Sequence, residues 1–230
     1  MLDIQKIRAI SFDLDDTLWP IWPTIERAEH SLRTWLVQHA PATAEMTGSV
    51  AALREIRAHM AQTRPDLQHD MSALRRESIR LALQRAGDDP QLAEPAFEVF
   101  FAARQDVIFY DDALPALKAL AARYPLAAIS NGNADIQRVG LGRYFQQAFS
   151  AHGLGVAKPD ARIFHAASAA LGVQPHEVLH VGDDAQLDVI GALGAGMQTV
   201  WLNREGHAWR HEEKPHLTVG NLTELCAALG

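Results

Sequence analysis

An all-helical stretch, inserted into an alternating pattern of strands and helices, is the feature that most constrains the fold of this chain. Residues 19–107 show apolar residues at helical spacing and no strand pattern. Residues 7–12 form a short apolar run typical of a buried strand, and strands and helices alternate after Asp112. Such alternation predicts a parallel sheet with helices on both faces.

The predicted architecture is therefore α/β, with a doubly wound, Rossmann-like parallel sheet. Residues 1–18 and 108–230 form this core, and residues 19–107 are inserted after the first strand as an all-α module of four helices. One of those helices should begin after Asp70 and end at Gly87. In the core we expect strands at residues 126–129, 148–149, 178–181, 198–201 and 217–219, and helices at residues 114–123, 136–141, 162–171, 187–193 and 222–229.

Composition and charge exclude several classes of protein. The chain has 21 Lys and Arg against 28 Asp and Glu, a net charge of −7, so we expect neither nucleic acid nor membrane as a partner. The one cysteine, Cys226, excludes an internal disulfide and a cysteine-cluster zinc site. Signal-peptide, P-loop, G-x-G-x-x-G and G-x-S-x-G patterns are absent, and we expect a cytoplasmic protein.

Polar residues gather where the predicted strands end. Ligands of an open parallel sheet bind outside the carboxyl ends of its strands, so these side chains should converge on one crevice. The residues that follow strands, or lie in the loop around Lys158, are Asp13, Asp15, Thr17, Ser130, Asn131, Gly132, Lys158, Asp183, Asp184 and Asp188.

The chemistry of this set favours phosphoryl transfer. Five carboxylates against one lysine are costly to pack without a cation, and hard oxygen ligands suit Mg²⁺. Ser130, the backbone N–H groups of Asn131 and Gly132, and Lys158 would supply donors for an anion. Phosphoryl transfer depends mainly on such positioning and charge stabilisation.

Four motifs resemble those of the haloacid dehalogenase (HAD) superfamily in order and spacing, and the helical insert resembles its C1 cap. The motifs are Asp13-x-Asp15-x-Thr17, Ser130, Lys158-Pro159-Asp160 and Gly182-Asp183-Asp184-x-x-x-Asp188. Residues 129–134, 141–145 and 180–184 further resemble the bacterial FMN and 5-amino-6-(5-phosphoribitylamino)uracil phosphatases of riboflavin metabolism. The resemblance implies a Mg²⁺-dependent phosphatase, monomeric or homodimeric, that hydrolyses a small phosphate ester.

The resemblance also implies a role for each motif residue. Asp13 would be the nucleophile that forms an aspartyl phosphate, and Asp15 would protonate the leaving oxygen and then activate water. Metal ligands would be Asp13, the backbone carbonyl of Asp15, and Asp183. Thr17 would position Asp13 or Asp15. The residues that would bind the phosphate or support the other site residues are Thr17, Ser130, Asn131, Gly132, Lys158, Asp184 and Asp188.

Two alternatives remain open. A haloacid dehalogenase or phosphomutase could use the same scaffold, and a receiver-like module could bind phosphate without turnover. Asp15 favours phosphate ester hydrolysis, because dehalogenases of the superfamily carry a different residue at that position.

Four residues of the predicted insert have two possible roles each. Trp19 and Trp22 would either stack on a flat substrate ring or pack in the cap. Arg75 and Arg76 would either contact a second anionic group or form a solvated helix face.

Overall fold

Six parallel strands form a single sheet in the computed structural model, which describes all residues from Met1 to Gly230. This confirms the predicted parallel α/β sheet. In spatial order the sheet is β3-β2-β1-β4-β5-β6, and its two edge strands are the partly exposed ones. The strands are β1 (Ala9–Phe12), β2 (Leu126–Ser130), β3 (Gln147–Ser150), β4 (Val178–Gly182), β5 (Gln198–Leu202) and β6 (Leu217–Val219).

The chain divides into two compact units. One unit combines Met1–Pro20 with Ile108–Gly230 and contains the whole sheet, and the other is Ile21–Val107. The second unit holds α1 (Ile21–His39), α2 (Pro41–Thr47), α3 (Val50–Thr63), α4 (Met71–Ala86) and α5 (Ala93–Arg104). The first holds α6 (Ala113–Ala121), α7 (Ala151–Leu154), α8 (Ala161–Ala170), α9 (Gly191–Gly194) and α10 (Leu222–Leu229).

The insert contains five helices where the apolar stripes predicted four. Helix α2 was missed because its Ala- and Thr-rich sequence shows no apolar stripe, although Pro41 at its first turn and Gly48 at φ +59° just past its end are ordinary boundary residues. The predicted ends of α4 are confirmed. The Asp70 side chain accepts a hydrogen bond from the Ala73 N–H, and Gly87 ends the helix at φ +81°.

Two helices predicted in the core differ from the structure. Residues 136–141 form turns instead of a helix, since Asp135 Oδ1 accepts the Gln137 N–H in a local turn and Gly140 adopts φ +82°. The segment predicted as a helix at residues 187–193 begins earlier as a π-helical turn, Ala185–Ile190, which leads into α9. Such π-turns are frequent at functional sites.

The order of the strands determines where a ligand can bind. Strand β1 is wholly buried at the centre of the sheet and pairs with β2 on one side and β4 on the other. The chain builds outward from β1 through β2 to β3 and then returns to the opposite side with β4. The direction of winding therefore reverses beside β1, and the crevice at its carboxyl end is the expected ligand site.

Every helix of the structure is either too short or too polar to cross a lipid bilayer.

Candidate active site

The loop after β1 presents two aspartates in a tight turn. Asp13 follows the strand directly, and its backbone N–H donates to the Val181 carbonyl of β4 at 2.9 Å. Asp16 adopts φ +59°, and its N–H donates to the Trp19 carbonyl at 2.8 Å, which folds the turn back on itself. The buried Trp19 indole then donates to Asp15 Oδ1 at 2.8 Å. Trp19 thus packs in the sheet-containing unit and holds the second aspartate.

Lys158 bridges two buried carboxylates. Its Nζ lies 2.5 Å from Asp13 Oδ1 and 2.6 Å from Asp188 Oδ1, and the lysine side chain is only 3% exposed. The Asn131 side-chain amide holds the backbone of this lysine from both sides. Its Oδ1 accepts the Lys158 N–H at 2.7 Å, and its Nδ2 donates to the Lys158 carbonyl at 2.9 Å. The predicted phosphate-loop residue Asn131 therefore fixes the position of Lys158 through its side chain.

A buried polar chain lies behind Asp188. Asp188 Oδ1 contacts His180 Nε2 at 3.2 Å, and His180 Nδ1 contacts Ser11 Oγ at 2.9 Å. Because the carboxylate only accepts, we assign the imidazole proton to Nε2 and let Nδ1 accept from the serine hydroxyl. The sequence interpretation missed both residues. The signal that could reveal them is the presence of one polar residue in each of β1 and β4, two otherwise apolar strands.

Gly182 makes room for Asp188 at the end of β4. A Cβ atom at this position would lie 2.3 Å from the carboxyl carbon of Asp188, so any larger residue would displace that side chain. The second oxygen of Asp188 accepts the Asp184 N–H at 3.0 Å. The glycine of the fourth motif thus serves the placement of Asp188.

The two neighbouring aspartates after β4 have different partners. Thr17 Oγ1 donates to Asp183 Oδ1 at 2.8 Å, so Thr17 orients Asp183 rather than Asp13 or Asp15. The Asp183 carbonyl accepts the Trp201 indole N–H at 2.8 Å. Asp184 Oδ1 instead accepts two backbone N–H groups and caps the π-helical turn, a structural role.

The predicted site residues converge on one cavity of about 200 Å³. Ser130 lies at the end of β2, and its Oγ accepts the Gly132 N–H at 2.9 Å, so the hydroxyl proton can point elsewhere. Thr17 does not line the cavity and reaches it through Asp183. The lining residues are Asp13, Asp15, Asp16, Ser130, Asn131, Gly132, Lys158, Asp183, Asp184, Leu187 and Asp188.

The cavity carries more negative charge than its lysine balances. Burial raises the pKa of Asp13 well above its usual range, and this effect, together with the nearby carboxylates, outweighs the attraction of Lys158. Burial and the Asp188 carboxylate raise the pKa of Asp183 to about 7. Burial also acts against the charged forms of Asp188 and Lys158, but attraction outweighs it. Lys158 and His180 lower the pKa of Asp188 to about 2, and Asp13 and Asp188 raise that of Lys158.

These carboxylates fit a divalent cation. Asp13, Asp183 and Asp188 each offer an oxygen, and the three oxygens lie within 4.8 Å of one another. Both oxygens of Asp188 already have protein partners, which leaves Asp13 and Asp183 as the better ligands. Burial is the main cause of their raised pKa values, and a bound cation would favour the charged carboxylates. An all-oxygen set with few carboxylates is what Mg²⁺ prefers.

Comparison with known proteins defines the family. The haloacid dehalogenase-like hydrolases match residues 7–196, so the chain belongs to this family and is a hydrolase. The resemblance inferred from the four motifs is thereby confirmed.

The similar proteins include two phosphatases and one protein named as a dehalogenase. The 5-amino-6-(5-phospho-D-ribitylamino)uracil phosphatase YigB of Escherichia coli is 33% identical over 98% of both chains. Phosphoserine phosphatase of Thermus thermophilus is 37% identical over 67% of this chain and 64% of its own. The crystal structure of a 2-haloacid dehalogenase from Pseudomonas syringae superposes with a TM-score of 0.90 at 40% identity, over 97% of this chain and 98% of that one.

We predict that Gly182→Ala destabilises the protein by about 1–3 kcal/mol, because the new methyl group overlaps the buried Asp188 carboxyl. Urea denaturation measures the free energy of unfolding. Gly194→Ala is the matched control, since a Cβ there meets nothing within 4 Å, and it should leave stability unchanged or raise it by up to ~1 kcal/mol. Equal stabilities for the two variants would contradict this account of Gly182.

We also predict that the protein binds Mg²⁺ and that Asp183→Asn weakens this binding about tenfold or more, because one charged oxygen ligand is lost. Isothermal titration calorimetry on metal-free protein measures the affinity. Asp160→Asn is the control, because that exposed carboxylate pairs with Arg162 and does not line the cavity. A loss of affinity of the same size in the control would argue against Asp183 as a ligand.

Proposed function

We propose that the protein is a Mg²⁺-dependent phosphomonoester hydrolase that acts on a small phosphorylated metabolite in the cytoplasm. The observation that carries this proposal is Asp15, a second carboxyl group in the same cavity as Asp13, held by the Trp19 indole. Hydrolysis of a phosphate ester requires a proton for the departing oxygen, and a carboxyl group so placed can supply it. We also propose that the insert takes the part of the C1 cap that its position in the chain resembles.

In the first half-reaction, a carboxylate oxygen of Asp13 attacks the phosphorus atom. The bond from phosphorus to the ester oxygen breaks, and that oxygen takes a proton from Asp15 as it leaves. The product on the enzyme is an aspartyl phosphate, which divides one difficult displacement into two easier steps. Lys158 balances charge on the nucleophile and the phosphoryl group, while Asp188 and the Asn131 amide keep the lysine in place.

In the second half-reaction, Asp15 accepts a proton from water as the water oxygen attacks the phosphorus. The bond to Asp13 breaks, inorganic phosphate is released, and both aspartates return to their starting states. The Ser130 hydroxyl and the Asn131 N–H would donate hydrogen bonds to phosphoryl oxygens in both steps, whereas the Gly132 N–H is used by Ser130 Oγ.

Asp13, Asp183 and the backbone carbonyl of Asp15 would hold the Mg²⁺ ion. When bound, the ion neutralises carboxylate and phosphate charge and orients the phosphoryl group toward the nucleophile. The surplus negative charge of the cavity supports this assignment.

We propose FMN or an intermediate of the riboflavin pathway as the substrate. The similarity to the E. coli 5-amino-6-(5-phospho-D-ribitylamino)uracil phosphatase supports this choice, because it extends over 98% of both chains. The resemblance of residues 129–134, 141–145 and 180–184 to such phosphatases supports it independently of overall identity.

A second candidate is haloacid dehalogenation, favoured by the 40% identity to the P. syringae protein named as a 2-haloacid dehalogenase. In that reaction Asp13 would displace the halide from carbon, and the resulting ester would be hydrolysed. A departing halide needs no proton, so this reaction gives Asp15 no role as an acid. The presence of Asp15 therefore favours the phosphatase.

We predict that Asp13→Asn lowers kcat for phosphate release from FMN and p-nitrophenyl phosphate by about 10³-fold or more, because the nucleophile is lost. Asp15→Asn should lower kcat by about 10²–10⁴-fold, the usual contribution of a general acid. Wild-type activity should disappear in EDTA and return with Mg²⁺. Asp160→Asn should retain activity and serves as the control.

The same preparations should be assayed for halide release from 2-chloropropionate. The phosphatase proposal requires phosphate release without halide release. Halide release with no turnover of any phosphate ester would establish the dehalogenase instead, and phosphate release that survives Asp13→Asn would exclude the proposed nucleophile.

A further inference from the structure

A cluster of three arginines surrounds one buried glutamate in the helical insert. We call it the Glu29 cluster: Glu29 of α1, Arg54 and Arg57 of α3, and Arg75 of α4. The Glu29 side chain is 2% exposed, and its Oε2 accepts a hydrogen bond from Arg54 Nε at 2.8 Å and forms an ion pair with Arg54 Nη2 at 2.6 Å. Its other oxygen, Oε1, lies 3.8 Å from Arg57 Nη1 and 3.6 Å from Arg75 Nη1.

The cluster holds more positive charge than its own carboxylate balances. Arg75 is buried, and its guanidinium carbon lies over the Phe100 ring at 3.6 Å from the centroid. Burial, and then repulsion from Arg57, lowers the pKa of Arg75 to about 9 despite Glu29. The other carboxylate that acts on the cluster is Glu26, whose charge reaches Arg54. Unbalanced buried charge is costly, and such groups mark candidate functional sites.

Hydrogen bonding in the cluster is incomplete as well. A guanidinium group carries five N–H donors, whereas the contacts of Arg57 and Arg75 with Glu29 are longer than the 2.7–3.2 Å of a normal N–H···O bond. Glu29 Oε1 is buried and has no hydrogen-bond partner. Elsewhere in the insert, Arg80 forms ion pairs with both Glu77 and Glu94. The Glu29 cluster thus differs from an ordinary paired network by its unused donors.

The cluster is open to solvent on one side. The Arg54 and Arg57 side chains are 36% and 24% exposed, so a small ion can approach their N–H groups. Trp22 is exposed beside them, with the Arg54 guanidinium 5.5 Å from its ring centroid. Guanidinium groups with an open side are suited to phosphate and carboxylate oxygens, which accept two N–H bonds at once.

We propose that the Glu29 cluster is an oxyanion-binding site, in which Arg57 and Arg75 donate to a phosphate or carboxylate group. The bound anion supplies negative charge that balances the arginines, and it accepts hydrogen bonds from the unpaired N–H groups of Arg57 and Arg75. Free inorganic phosphate is the probe for this chemistry, and the site does not depend on the proposed phosphatase function.

The test measures binding without turnover. Inorganic phosphate is titrated calorimetrically into the metal-free protein in EDTA, with Arg75→Gln, Arg57→Gln and the control Arg80→Gln. We expect a phosphate site in the wild type and in Arg80→Gln, weakened about tenfold or more in the other two variants, because each loses a charged donor. Circular dichroism verifies folding. Arg57→Gln keeps the test valid if the loss of the buried Arg75 prevents folding.

Unchanged phosphate affinity in the folded Arg75→Gln or Arg57→Gln variants would overturn the proposal, and so would an equal loss in Arg80→Gln. This outcome is separate from the fate of the phosphatase proposal, since no reaction is measured. Phosphate binding at the cluster by an enzyme without phosphatase activity would refute the function and keep the site.

Discussion

The ammonium group of Lys158 between the carboxylates of Asp13 and Asp188 is the interaction on which the candidate site depends. Buried charges are tolerated only when they are paired and hydrogen-bonded, and this lysine satisfies two acids at once. The surrounding structure serves the same contact. The Asn131 amide holds the lysine backbone, and the absence of a side chain at Gly182 admits Asp188. Asp183 remains uncompensated, which explains why the cavity suits a divalent cation.

Much of the fold and site could be predicted from the sequence, because both follow strong local rules. Apolar runs that alternate with helical stripes predict the parallel sheet, and the confirmed cap at Asp70 follows from the preference of aspartate for that position. Most residues that line the cavity could be predicted from the rule that ligand-binding side chains follow the strands of an open sheet, but Asp16 and Leu187 were not among the predicted site residues.

The remainder could not be predicted, because it depends on contacts between distant segments or on competing local bonds. Ser11 and His180 meet only because β1 and β4 are in a particular register, which a single sequence does not reveal. The Asn131 side chain binds a backbone in another loop, and its residue type alone gave no hint of that partner. The helix predicted at residues 136–141 from its apolar spacing is absent, because the Asp135 side chain forms a local turn and Gly140 adopts a positive φ.

The chain order of the site has a consequence for its synthesis. The contact between Asp13 and Lys158 spans 145 residues, and that between Ser11 and His180 spans 169. Strand β1 therefore leaves the ribosome long before either neighbouring strand exists, and the next segment to emerge is the helical insert, which is a compact unit of its own. A nascent chain carries Asp13 at the end of an apolar strand that has two unpaired edges until β2 is made and one unpaired edge until β4 is made. Premature termination before that strand yields a polypeptide without an active site and with an aggregation-prone segment exposed.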